Sequence, residues 1–185
     1  MMIDSHEHIM LPTEKQLQMM DKAGVDKTIL FCSTPHPENA ASLTEIETEM
    51  AALGKVLSGA HNKETNRIRL KKNIDDLTAV IAQYPNRFLG FGSVPLPETK
   101  EWISSNILAN GLRGIGEFTP SSDAQMQQLD TVFAAVQETA ILPIWVHTFA
   151  PVTLSGIHLL MELCVKYPEI PVIFGHLGGT NWIET

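Results

Sequence analysis

Six short runs of strand character, separated by stretches of helical periodicity, constrain this 185-residue chain more than any other feature. The runs fall at residues 3–9, 27–33, 87–94, 111–118, 143–147 and 171–176. From the second onward they are almost purely apolar, as strands buried on both faces are. Between them the apolar residues recur every three or four positions, the period of a helix with one buried face. Leu17 and Met20 predict an inward face after the first strand. Leu70, Ile74, Leu77 and Ile81 do so before the third, with a helix expected over 66–84 and another over 40–58. Trp102, Ile103, Ile107 and Leu108 mark the next helix, followed by one carrying Met126, Leu129, Phe133 and Val136. The last has Ile157, Leu160, Met161 and Cys164 turned inward. Thr13-Glu14-Lys15-Gln16 has the form of a capping box that starts the first helix, and Ala23-Gly24 ends it. Strands joined through helical crossovers pair in parallel. Two architectures accept such a chain, a doubly wound open sheet and a (β/α)8 barrel.

One domain is expected over residues 1–185, with an inserted region at 35–65 between the second and third strands. Its loop at 34–39 carries two prolines, and an insertion of this kind sits at the binding end of an α/β protein. A net charge of −8 argues against nucleic acid as a partner, because phosphate binding needs clustered Lys and Arg. The densest basic stretch, 67–72, reads as the solvated face of a helix. No run approaches the ~20 apolar residues of a membrane span. The N-terminus lacks a signal peptide, and Cys32 and Cys164 read as buried free thiols of a reducing compartment. A cytoplasmic location is therefore expected.

The chemistry is positional. His6 and His8 alternate onto one face of the first strand and close it. Glu117 closes the fourth strand, His147 the fifth and His176 the sixth. All five are metal-competent or proton-transferring groups at C-terminal strand ends, where parallel α/β folds place their sites. A histidine that ends an apolar strand is costly unless it has a partner. Glu117 has an alternative role, binding a backbone N–H after Gly116. His158, on a helix between Ile157 and Leu159, is read as packing or solvent-exposed. His36 and His61 lie in loops, Arg113 is placed outside the site, and Trp182 either lines the site floor or packs.

The segments Asp4-Ser5-His6-Glu7-His8, Gly114-Ile115-Gly116-Glu117-Phe118, Trp145-Val146-His147 and Phe174-Gly175-His176-Leu177-Gly178-Gly179 resemble the amidohydrolase superfamily. The branch they are most similar to is the amidohydrolase-2 group, which includes aminocarboxymuconate semialdehyde decarboxylase. The resemblance implies a TIM-barrel-like (β/α)8 fold with six of its eight βα units present. It implies a divalent metal, zinc first, with manganese, iron or nickel as alternatives. His6, His8 and His147 would be its ligands. His176 would act as acid/base or bind a second metal, and Glu117 resembles the bridging carboxylate of TatD-type nucleases, which would favour two metals. The activity implied is hydrolysis of a small molecule by metal-activated water. The alternative is a lyase of the same family, a decarboxylase or hydratase.

One departure stands out. The family's aspartate after the eighth strand has no counterpart, since no Asp follows Asp130, and Glu184 lies too close to the sixth strand to replace it. The expectation is a truncated chain, or one completed by another chain. Exposed edges on the first and sixth strands would then favour a homo-oligomer, or a non-catalytic fragment that self-associates. Phosphoesterases of the PHP type, which also begin Asp-x-His-x-His, are a second enzyme reading, but they carry more ligand histidines than this chain offers.

Overall fold

A computed structural model of the chain describes residues 1–32, 40–57, 63–96 and 100–185. The loop expected at 34–39 lies outside the described residues, as do His36 and His61. The chain divides into two compact units, Met1–Phe91 and Gly92–Thr185.

In the first unit β1 (Ile3–His8) is followed by α1 (Thr13–Ala23), β2 (Lys27–Phe31), α2 (Leu43–Leu57), α3 (Lys63–Gln83) and β3 (Phe88–Gly92). The three strands pair in parallel in chain order. The expected core positions of α3 behave as the spacing demands: Leu70, Ile74 and Leu77 are buried, and Ile81 is half-buried at the margin. Leu30, Phe31 and Phe88 of the neighbouring strands are likewise all but excluded from solvent. Gly24 ends α1 in the left-handed conformation at φ 74°, donating its N–H back to Asp21 and Met20 carbonyls.

The capping box does not form. Pro12 stands at the N-cap without a side-chain bond, and Thr13 is already the first helical residue. Gln16 turns back toward β1 instead. Its Oε1 accepts from the Met10 N–H at 3.2 Å and its Nε2 donates to the His8 carbonyl at 3.0 Å. Two loose backbone groups just beyond the strand outcompete a cap that proline, with its fixed φ, does not need.

The second unit runs α4 (Lys100–Trp102), continued as a π-helical stretch Ile103–Leu108, then β4 (Gly114–Phe118), α5 (Asp123–Thr139), β5 (Ile144–His147), α6 (Leu154–Lys166) and β6 (Val172–Gly175). These three strands are also parallel and adjacent in chain order. Side-chain oxygens cap both long helices: Ser122 Oγ accepts from Gln125 N, and Thr153 Oγ1 from Gly156 N. Met126, Leu129, Phe133 and Val136 of α5 are fully buried, as their spacing predicts.

On α6 the expected face needs correction. Ile157 and Leu160 are buried, but Met161 is 40% exposed and Cys164 is half-buried. Adjacent helix positions lie ~100° apart, so Leu160 and Met161 cannot share one narrow stripe, and Leu163 takes the inner place instead. No helix among the described residues is long and apolar enough to cross a membrane.

Gln16 is 4% exposed and satisfies two backbone groups, so its loss is not a surface change. Gln16→Leu should destabilise the protein by about 1–3 kcal/mol in urea unfolding. Exposed Lys15→Ala should stay within about 0.5 kcal/mol. Equal midpoints for the two variants would contradict this role.

Candidate metal centre

In the first unit the site begins with a defect in β1. Its register with β2 slips between Asp4 and Glu7, and Asp4 Oδ1 accepts the His6 N–H at 3.1 Å, satisfying it locally. Such a bulge re-aims side chains near functional sites. Ile3, Ser5 and Glu7 face solvent, while His6 and His8 are half-buried, their ring centroids 5.3 Å apart. His6 stands 4.5 Å from the Phe31 ring, which itself packs 5.3 Å from Phe91. The histidine pair thus has an aromatic floor.

The Nδ1 of His8 lies 3.1 Å from the Cys32 carbonyl. A carbonyl only accepts, so Nδ1 carries the proton and the neutral ring keeps its lone pair on Nε2. A metal-ligating imidazole is arranged in the same way.

A second register slip falls in β4, between Ile115 and Phe118, and it carries Glu117. The backbone here runs against β5. Gly116 adopts φ 140°, and a Cβ on it would stand 2.6 Å from the Trp145 carbonyl oxygen, so only glycine fits. Glu117 is held with its side chain 10% exposed, its Oε1 3.1 Å from His147 Nδ1 and 3.6 Å from His176 Nε2. The alternative of Glu117 serving only a nearby backbone N–H therefore does not describe it, because the carboxylate meets two imidazoles.

His147 closes β5 as expected, and its Nε2 lies 3.2 Å from the Ala150 carbonyl. Both ring nitrogens thus face acceptors, an arrangement the doubly protonated ring satisfies best. Burial by itself would lower the His147 pKa. The Glu117 hydrogen bond and charge, with the Ala150 carbonyl, outweigh it and raise the value above the ordinary one. Binding a metal through Nε2 would require the Ala150 contact to open.

His176 does not end β6, which stops at Gly175. It starts the turn His176–Asn181, where His176 and Leu177 both adopt left-handed backbone, at φ 64° and 49°. The His176 ring meets that of His147 at 4.5 Å. Sequence reasoning missed what holds this turn. Thr148, fully buried, donates its hydroxyl hydrogen to the Gly175 carbonyl and accepts the Gly178 N–H at 2.8 Å. One hydroxyl thereby clasps the chain on both sides of the His176–Leu177 pair. Nothing in a threonine after a strand-end histidine distinguishes it from an ordinary strand residue.

The structure therefore brings His6 and His8 together in one unit, and Glu117, His147 and His176 together in the other. His158 and Arg113 are exposed, and Trp182 is 65% exposed, so it is not a packed core residue. Imidazoles with a carboxylate form a donor set suited to zinc, manganese, iron or nickel, so the residues fit a divalent cation.

Neither protein-family models nor curated protein sequences match this chain. Solved structures do. The crystal structure of an amidohydrolase II matches with a TM-score of 0.65 at 18% identity, over 98% of this chain and 68% of its own. That of 5-carboxyvanillate decarboxylase from Sphingomonas paucimobilis gives 0.67 at 14%, over 96% and 68%. The 5-carboxyvanillate decarboxylase from Novosphingobium aromaticivorans, complexed with manganese and 4-hydroxy-3-methoxy-5-nitrobenzoic acid, gives 0.55 at 23%, over 92% of this chain and 51% of its own. The chain thus spans about two thirds of the first two and about half of the third. These likenesses show the fold: an α/β chain of TIM-barrel type with six of the eight βα units.

In metal-free protein, NMR titration of the ring protons should place the His147 pKa above the ordinary value of about 6.5, and Glu117→Gln should bring it down. A raised folded-state value means that the pair's stabilisation is fully present below the unfolded-state pKa and fades as pH rises through the folded one. An unchanged His147 titration in Glu117→Gln would contradict the pairing.

Proposed function

We propose that this chain is a metal-dependent enzyme of the amidohydrolase superfamily type, acting on a small molecule. One observation carries the reading: ionisable residues stand at or just past the C-terminal ends of strands, and the bodies of β4, β5 and β6 are apolar. The ionisable residues are His6 and His8 on β1, Glu117 on β4, His147 on β5 and His176 after β6. His6, His8 and His147 are the proposed ligands, with zinc as the ion. The manganese of the Novosphingobium structure supports the choice of a divalent cation more broadly.

A cation held by these residues would supply Lewis acidity, polarising a substrate oxygen and making water more acidic. The chain's own residues do the rest. Glu117 orients His147 through Nδ1 and, buried, is a proton acceptor that little water screens. His176, its side chain 43% exposed, lies 3.6 Å from Glu117 and can pass a proton between that carboxylate and solvent or substrate.

Hydrolysis is the first reading. A second, carbon–carbon lyase chemistry, is favoured by the decarboxylases among the similar structures. The aminocarboxymuconate semialdehyde decarboxylase branch remains the finer proposal within it. Protein stripped by chelator and reloaded with zinc or manganese should turn over small esters, amides, lactones or aromatic carboxylates only when loaded. His176→Asn should lower kcat by roughly 10²- to 10⁴-fold. Label from ¹⁸O-water in the product supports the hydrolase and carbon dioxide release the lyase. Equal turnover by stripped and loaded protein would contradict both.

A further inference from the structure

The second unit carries an aromatic side chain that the proposed chemistry does not use. Phe149 stands two residues past His147, on the segment leaving β5, and is 45% exposed. A single exposed apolar side chain needs no explanation by itself. What separates Phe149 is how firmly it is held and what it stands beside.

Its backbone is fixed in a turn, where the Phe149 carbonyl accepts the N–H of the buried Val152 at 3.0 Å. Its ring is seated on the turn that presents His176. A Cβ on Gly179 would stand 3.0 Å from the Phe149 Cα and still closer to its ring, so only glycine, here at φ 56°, allows the approach. From that seat the Phe149 ring meets the His176 ring edge-on, with centroids 6.4 Å apart and planes at 61°. The His176 ring in turn lies 4.5 Å from that of His147. Three consecutive residues thus serve one site: His147 meets Glu117, Thr148 clasps the turn, and Phe149 flanks the exposed His176.

A ring already held in place loses little freedom when a ligand packs against it. Phenylalanine offers that ligand no charge and no strong hydrogen bond, only apolar area and the face or edge of a π system. The group it suits is a flat, unsaturated ring. A saturated ring of the same size covers the area but forgoes the aromatic contact.

We propose that Phe149 is a substrate-contacting residue that determines specificity, its ring packing against a planar unsaturated ring of the substrate beside His176. The proposal deepens the enzyme reading by naming a substrate class, and rests on it for the identification of that ligand as substrate.

Benzoate and cyclohexanecarboxylate, alike in charge and ring size and different in unsaturation, are the probes. Aromatic ring resonances of the metal-loaded protein are followed as each is added. Benzoate should shift the Phe149 signals saturably, and cyclohexanecarboxylate should bind roughly 3- to 10-fold more weakly, the size of an aromatic pair contact. Tyr84 of the first unit, whose ring packs edge-on against Phe88, should not move. Phe149→Leu keeps an apolar side chain but loses the π system. It should weaken benzoate by the same 3- to 10-fold factor and leave cyclohexanecarboxylate within about twofold.

No saturable Phe149 shift with benzoate, equal affinity of the wild type for both probes, or a preference that survives in Phe149→Leu would overturn the proposal. The wild-type titration decides even if the variant fails to fold. Elemental analysis and turnover of the same samples separate the two readings. Metal uptake and turnover without a Phe149 shift would leave the enzyme reading standing and remove this contact. A benzoate shift at Phe149 in protein that takes up no metal and turns nothing over would uphold ring recognition there and remove the enzyme reading instead.

Discussion

A carboxylate withdrawn from water must be compensated, and in this protein Glu117 is compensated by imidazoles. The strand that carries it is otherwise apolar and tightly packed, and His147 and His176 bring their rings to the charge from β5 and from the turn after β6. Their arrival depends on backbone detail. Gly116 allows β4 to approach β5 more closely than any side chain would permit. Thr148 clasps the turn that presents His176. Removing His147 or His176 would take a partner from a buried charge, which costs more than never having buried it.

The same logic shapes the first unit with milder means. His6 and His8 are half-buried over Phe31, and the bulge that aims them leaves one backbone N–H for Asp4 to satisfy. The next loose groups fall to Gln16, and His8 donates to Cys32. Both register slips of the described strands, in β1 and in β4, occur where a candidate ligand must be turned. The helices and apolar strand bodies supply the burial that makes such polar detail consequential.

Much of this was legible in the sequence because it rests on periodicity. The six strands, the inward faces of α3 and α5, and the five candidate residues follow from alternation, helical spacing and position at strand ends. What escaped has no periodic signature. Gln16 looked like the last member of a capping box, and only the geometry of Pro12 shows that its amide serves β1. Arg69 looked like one cation among the four of residues 67–72, and burial on a three-dimensional surface singles it out. Met161 was one residue off a stripe whose width spacing alone does not set. The left-handed turn at His176 depends on Thr148, thirty positions away from the Gly178 amide it receives.

We propose that the strand-end histidines hold a divalent cation. Elemental analysis of chelated and reloaded protein tests it most directly, comparing wild type with the double variant His6→Ala, His8→Ala and with His147→Ala. Roughly one ion per wild-type chain, lost in both variants while their far-ultraviolet spectra stay native, is the expected result. Equal metal content in all three proteins would contradict it.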